Sequence, residues 1–137
     1  MSEIRGIVET SLYFADLPRA IEFYRSALGL IPNSHDERMA SYCIAPGQML
    51  LFFRRGGTPH DMVCDAGTIP AHDGIGPTHL GLAIAEPDFD EWNSRLTAAG
   101  VTIVSEMRWS RGGRSVYFHD PERNLVELIT PGIWPVY

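Results

Sequence analysis

Apolar and polar positions alternate over residues 8–14. Val8, Leu12 and Phe14 fall on one side of a predicted strand, and Glu9, Ser11 and Tyr13 on the other. Asp16-Leu17-Pro18 then opens a helix, with Asp as N-cap and Pro in the first turn, where a missing N–H costs nothing. Leu17, Ile21, Tyr24 and Leu28 recur at helical spacing, and Gly29 ends the element. A polar stretch over 33–38 leads into a strand over 39–45, a turn at Pro46-Gly47 and a returning apolar run over 49–53, which together predict a hairpin.

Residues 54–77 are rich in Gly, Pro, His and Asp and predict a linker folded over one end of the domain. After it the pattern restarts. An alternating strand over 78–84 precedes a helix opened by Pro87-Asp88, with Phe89, Trp92, Leu96 and Ala99 on one face and Gly100 at its end. A strand is predicted over 101–104, then a second hairpin over 115–119 and 125–129 around Asp120-Pro121. The halves align: residues 9–16 lie over 79–86, 42–46 over 117–121 and, with one extra residue in the second turn, 49–52 over 125–128. Such repetition fixes the architecture. It predicts an α+β fold of two paired β-α-β-β-β modules, over about 5–55 and 77–131, joined by a linker over 56–76. Their curved sheets surround a shared cavity, and the 137 residues form a single domain.

The alternation places His79, Gly81 and Ala83, with Leu125, Glu127 and Ile129, on the cavity side of the second module. In the first module Glu9, Ser11 and Tyr13 face it, with Met49, Leu51 and Phe53. One histidine and two carboxylates thus share an apolar lining with no Lys or Arg at the neighbouring inward positions. An ionised carboxylate there requires a partner, which is either a metal ion or His79 itself in a plain His–Glu pair.

The balance of 11 Lys+Arg against 17 Asp+Glu gives a net charge of −6 and argues against nucleic-acid binding. No run is long and apolar enough to span a bilayer, and the first residues lack signal-peptide character, so no membrane association and a cytoplasmic location are expected. Cys43 and Cys64 stand in no metal-type spacing and are each expected to be a reduced, buried or idle thiol. The loop Trp109-Ser110-Arg111-Gly112-Gly113-Arg114 is either a solvated loop or an anion clamp built on its arginines. His60 and His72 are expected to face solvent, with covering the cavity as the alternative. Tyr13, Phe53 and Trp109 suit packing or an apolar substrate.

Two stretches carry a resemblance. One is Ala15-Asp16-Leu17-Pro18-Arg19-Ala20-Ile21-Glu22-Phe23-Tyr24-Arg25 followed by Leu28-Gly29-Leu30. The other is Tyr117-Phe118-His119-Asp120-Pro121 leading into Asn124-Leu125-Val126-Glu127. Across residues 6–130 the chain resembles the vicinal oxygen chelate superfamily of glyoxalase I, bleomycin-resistance proteins, extradiol dioxygenases and fosfomycin-resistance thiol transferases. The resemblance implies a divalent metal ion (Mn, Ni, Fe, Mg or Zn) held by Glu9, His79 and Glu127, with Glu9 standing where His is commoner. Leu51 takes a fourth corner that it cannot ligate. Glu9 and Glu127 are the implied catalytic carboxylates.

Ser11 and Tyr117 match substrate-side positions of the thiol transferases, and Tyr13, Leu51, Phe53, Trp109 and Arg114 complete the expected substrate contacts. Against that group, residues 111–115 carry two arginines where its potassium loop is acidic. The implied activity is a metal-dependent lyase- or isomerase-like reaction on a small oxygen-chelating substrate. The alternatives are a thiol transferase, a dioxygenase, and a metal-free binding protein of the bleomycin-resistance type. Family habit and the apolar tail over 133–137 predict a homodimer.

Overall fold

Asp16 caps the first helix as its position predicts: its Oδ1 accepts the Arg19 amide at 3.0 Å. The helix α1 (Leu17–Leu28) follows strand β1 (Glu9–Phe14). Gly29, at φ +71°, ends it by donating its amide to Arg25 O. This computed structural model describes residues 1–136, which fall into two compact units. Unit 1 comprises Met1–Glu22 and Leu30–Ile75; unit 2 comprises Phe23–Gly29 and the chain from Gly76 onward. Among the described residues no helix is long and apolar enough to cross a membrane.

Unit 1 carries β1, β2 (Ser34–His35), β3 (Met39–Ala45) and β4 (Gln48–Arg54) in the sheet order β1-β4-β3-β2. β1 runs parallel to β4, with Glu9 opposite Met49, Ser11 opposite Leu51 and Tyr13 opposite Phe53. Leu12, Phe14, Ala40, Tyr42, Leu50 and Phe52 are buried on one face, and the rings of Phe14 and Tyr42 lie 4.7 and 4.8 Å from that of Phe52. The linker holds a hairpin that the sequence pattern did not reveal, β5 (Met62–Cys64) and β6 (Gly67–Ile69). Its flanks are tied down by Asp73, which accepts the Gly56 amide at 3.1 Å, and by Asp61, which accepts that of Ala71 at 2.9 Å.

Unit 2 repeats the arrangement with β7 (His79–Ala83), β8 (Ser105–Arg108), β9 (Arg114–His119) and β10 (Leu125–Ile129), ordered β7-β10-β9-β8. Its helix α2 (Phe89–Ala98) follows a 3-10 turn over Glu86–Asp88. The core is Leu80, Ile84, Phe89, Leu96, Val116, Phe118, Val126 and Leu128, with Tyr24, Ala27 and Leu28 from the end of α1. The α+β class and the repeated β-α-β-β-β order are therefore as expected.

Two expectations are corrected. The strand predicted over 101–104 begins only at Ser105, because Val101 closes the helix end on Leu96 O and pairing with β9 starts at Ser105 opposite Tyr117. The hairpin alignment is one residue out. Cys43 opposite Met49 corresponds to His119 opposite Leu125, so Tyr42 matches Phe118 and Ser41 matches Tyr117. A one-residue slip reverses every side chain on a strand. Tyr42 accordingly lies in a core while Tyr117 faces the opposite way.

Candidate functional site

In unit 2 the Asp120–Asn124 turn sets the geometry. The Asp120 carboxylate, 4% exposed, accepts the amides of Glu122 and Asn124, the Asn124 side chain and the Tyr24 hydroxyl, each at 2.9 Å. Four donors offset its desolvation. Asn124 in turn accepts from the Thr78 amide and hydroxyl at 2.9 and 2.8 Å, and the Leu125 amide reaches Thr78 O at 2.8 Å. The start of β10 is thereby seated beside the start of β7, with His79 opposite Leu125.

That register brings two of the expected ligands together. His79 Nδ1 lies 2.9 Å from Leu125 O; a carbonyl only accepts, which assigns the proton to Nδ1 and leaves a lone pair on Nε2. Nε2 stands 3.2 Å from Glu127 Oε2. Two acceptors at that separation need a proton between them or a metal ion. The other Glu127 oxygen accepts the Tyr117 hydroxyl at 2.8 Å. Glu127 is 6% exposed and, among the described residues, has no Lys or Arg within ion-pair distance. Burial, and then the Glu127 hydrogen bond and charge, push the Tyr117 phenol above its usual range, so it keeps its proton and donates. Trp109 closes the same face of β9 by donating Nε1–H to Ser115 Oγ at 2.8 Å.

Arg114 is not part of this face. As the residue before Ser115 on β9 it points the other way, 3.8 Å above the Phe89 ring and 3.0 Å from Asp90 Oδ1. The anion-clamp reading of Arg114 thus gives way to a bridge between β9 and α2.

In unit 1 the face of β1 bearing Glu9, Ser11 and Tyr13 is bordered by Met49, Leu51 and Phe53, as the alternation predicts. Register makes Leu51 the counterpart of Glu127: Leu51 pairs with Ser11 as Glu127 pairs with Gly81. A cavity of 330 Å³ opens here, with Glu9, Phe53 and the linker's Thr58, His60 and His72 in its wall. His72 does not face solvent. Its Nδ1 is 2.6 Å from the Tyr13 hydroxyl and its ring meets Phe53 edge-on at 4.6 Å. Burial, then the charge of Asp73, raise the Tyr13 phenol above its ordinary value. Of the two linker histidines, His60 is exposed as expected, and both line the cavity wall as the alternative had it; sequence reading did not name Arg38 and Met39, which stand where the polar stretch over 33–38 meets the strand over 39–45. The one available signal was the Gly57, Gly74 and His72 composition: a Cβ on Gly74 would run into the Tyr13 ring.

Among the described residues no group of three His, Cys, Asp or Glu side chains stands together to hold a metal ion. His79 and Glu127 form a pair in unit 2. The donor set fits a divalent ion in part: the His79 Nε2 and a buried Glu127 oxygen stand 3.2 Å apart, and the other Glu127 oxygen and the His79 Nδ1 are each held by a hydrogen bond.

Known proteins agree with this architecture. The chain is 23% identical over 129 residues to a metallothiol transferase FosB of Shouchella clausii, covering 93% of this chain and 81% of the relative. It is 41% identical over 51 residues to the glutathione transferase FosA of Serratia marcescens, covering 37% and 35% of the two chains. Among solved structures, a lactoylglutathione lyase from Agrobacterium tumefaciens superimposes with a TM-score of 0.86 at 29% identity, over 98% of this chain and 99% of the other. The fosfomycin resistance protein FosX of Mesorhizobium loti gives 0.64 at 18% identity over 93% of each. The family model of the glyoxalase/bleomycin resistance protein/dioxygenase superfamily matches residues 6–128, and the chain belongs to that superfamily.

Proposed function

We propose that the protein is a divalent-metal-dependent enzyme acting on a small oxygen-chelating substrate in a lyase- or isomerase-like reaction. The observation that carries this reading is the His79–Glu127 pair: a ligating tautomer held by Leu125 O, facing a buried carboxylate oxygen across 3.2 Å. Glu9 is the third ligand in this reading, because it holds on β1 the place that His79 holds on β7. A bound ion supplies Lewis acidity toward paired substrate oxygens.

The chain's own residues divide the remaining work. Tyr117 holds Glu127 in one rotamer through its 2.8 Å hydrogen bond, and Leu125 O fixes the His79 ring. Glu127 has one oxygen occupied by that phenol and the other turned to His79, whereas Glu9, as a ligand through one oxygen, would keep its second oxygen to accept a substrate proton. Ser11, Tyr13, Leu51 and Phe53 bind the substrate body in unit 1, and Trp109 and Tyr117 bound the site in unit 2.

Titration of chelator-treated protein with Mn²⁺ or Ni²⁺ tests the reading. One ion per chain is expected, with binding abolished in His79→Ala and weakened at least tenfold in Glu9→Ala. Absence of binding by folded wild-type protein would leave a metal-free binding protein of the bleomycin-resistance type as the better account. The named thiol and glutathione transferases among the relatives favour a second reading, addition of a thiol to the substrate. Thiol consumption measured with the metal-loaded protein separates it from the first.

A further inference from the structure

Among the described residues Arg38 is the one Lys or Arg side chain on the wall of the unit 1 cavity, and its surroundings do not satisfy it. The residue is half-buried. Its guanidinium donates to a single acceptor among the described residues, the thioether sulfur of Met62 at 3.3 Å, which is a weak one. No carboxylate among the described residues lies within ion-pair distance of it. Asp36, two residues away, has its Oδ1 occupied by the amides of Arg38 and Met39 at 2.8 and 2.9 Å.

The backbone and the base of the side chain are nevertheless held in place. The Arg38 carbonyl accepts the Arg54 amide at 2.7 Å, and Gly57 lies so close that a Cβ there would come within 3.3 Å of Arg38 Cγ. A half-buried guanidinium on an anchored stem, with Asp36 acting on it only from beyond ion-pair distance, is poised to take an anion, and its fork matches a carboxylate or phosphate.

The rest of the wall states what the anion is attached to. Met39, Phe53, Met62 and Ile69 are apolar and line the same cavity. Met39 is opposite Phe53, and Phe53 opposite Tyr13, so Arg38 stands at the Tyr13 end of the sheet. Arg38 lies beside Arg54, which is opposite Phe14, so Glu9 at the other end of β1 is five residues and about 17 Å away along the strand.

We infer that Arg38 is the anion anchor of this cavity and that the substrate is an amphipathic small molecule. Its carboxylate or phosphate terminus pairs with Arg38, and its apolar body lies on Phe53, Met39 and Ile69. The reacting end then points toward Glu9. Only this last orientation rests on the proposed metal chemistry; the anchor and the apolar body stand on unit 1 alone.

The test uses the full chain, freed of metal and kept in chelator, so that a failed metal site and a failed anion site are read separately. Butanoate, hexanoate and octanoate, the matching n-alcohols and the matching alkyl phosphates are titrated by calorimetry. Affinity is expected to rise with chain length, and one or both anion series to bind at least tenfold tighter than the alcohols. The preferred series identifies the terminus. Arg38→Met is expected to remove the anion advantage while keeping the alcohol affinity, which also reports that the variant is folded. Arg38→Lys should recover part of it. Equal binding of anions and alcohols, no binding of any probe, or an anion advantage that survives Arg38→Met would each overturn the inference.

Discussion

Tyr42 is 1% exposed, and its hydroxyl has no hydrogen-bond partner among the described residues. Burial pushes its phenol from 10.0 up to about 12. The folded state therefore favours the neutral form. The associated stability is complete below pH 10, where the unfolded chain ionises, and is lost as pH rises toward 12. Tyr42→Phe is expected to raise stability at neutral pH by about 0.5–1 kcal/mol, since an unpartnered polar group is removed. It should also flatten the alkaline decline in denaturant titrations; a loss of stability would show that the hydroxyl is partnered. Tyr117 is the opposite case, a phenol whose partner is Glu127. Tyr117→Phe should leave the fold intact and weaken Mn²⁺ binding by about 10–100-fold, as for other outer-sphere partners. Strand parity made the shared face of His79 and Glu127 legible from sequence alone. It did not place Arg114, because the preceding Gly-rich loop breaks the count and leaves the face of the next residue undetermined.

The Asp120–Asn124 turn decides the register of β7 and β10. Asp120→Ala removes an acceptor from Tyr24, Asn124 and two amides at once, and is expected to lower unfolding stability by about 3 kcal/mol. Thermal and denaturant melts check this; a change under 1 kcal/mol would show that solvent replaces those bonds. Asp120-Pro121 was readable as a turn, since both residues favour one. β5 and β6 were not readable as strands because all six of their residues are exposed, so no apolar face repeats at period two. β8 is equally exposed along its length, and the apolar 101–104 drew the prediction away from it.

Among the described residues β1 and β7 each stand at an end of their sheet. Beside β1 lie Ile4, Ile7 and Val8, at 94%, 79% and 66% exposed, and the tail exposes Trp134 and Val136; Tyr137, the last residue of that tail, lies outside the described residues. Apolar surface flanking an edge strand favours association. The protein is expected to sediment as a dimer at micromolar concentration, and a monomer there would count against the homodimer reading. One further consequence follows from the pairing of β7 with β10. The donor atoms of His79 and Glu127 come from strands 46 residues apart that meet only once the intervening helix and strands are in place. An unfolded chain offers no such pair, so affinity for a cation at this position is also free energy of folding. At a hundredfold excess over the dissociation constant, Mn²⁺ should raise unfolding stability by about 2.7 kcal/mol, and chelation should reverse it. The thermal midpoint of the protein is then a gauge of free metal concentration, and one that needs no substrate.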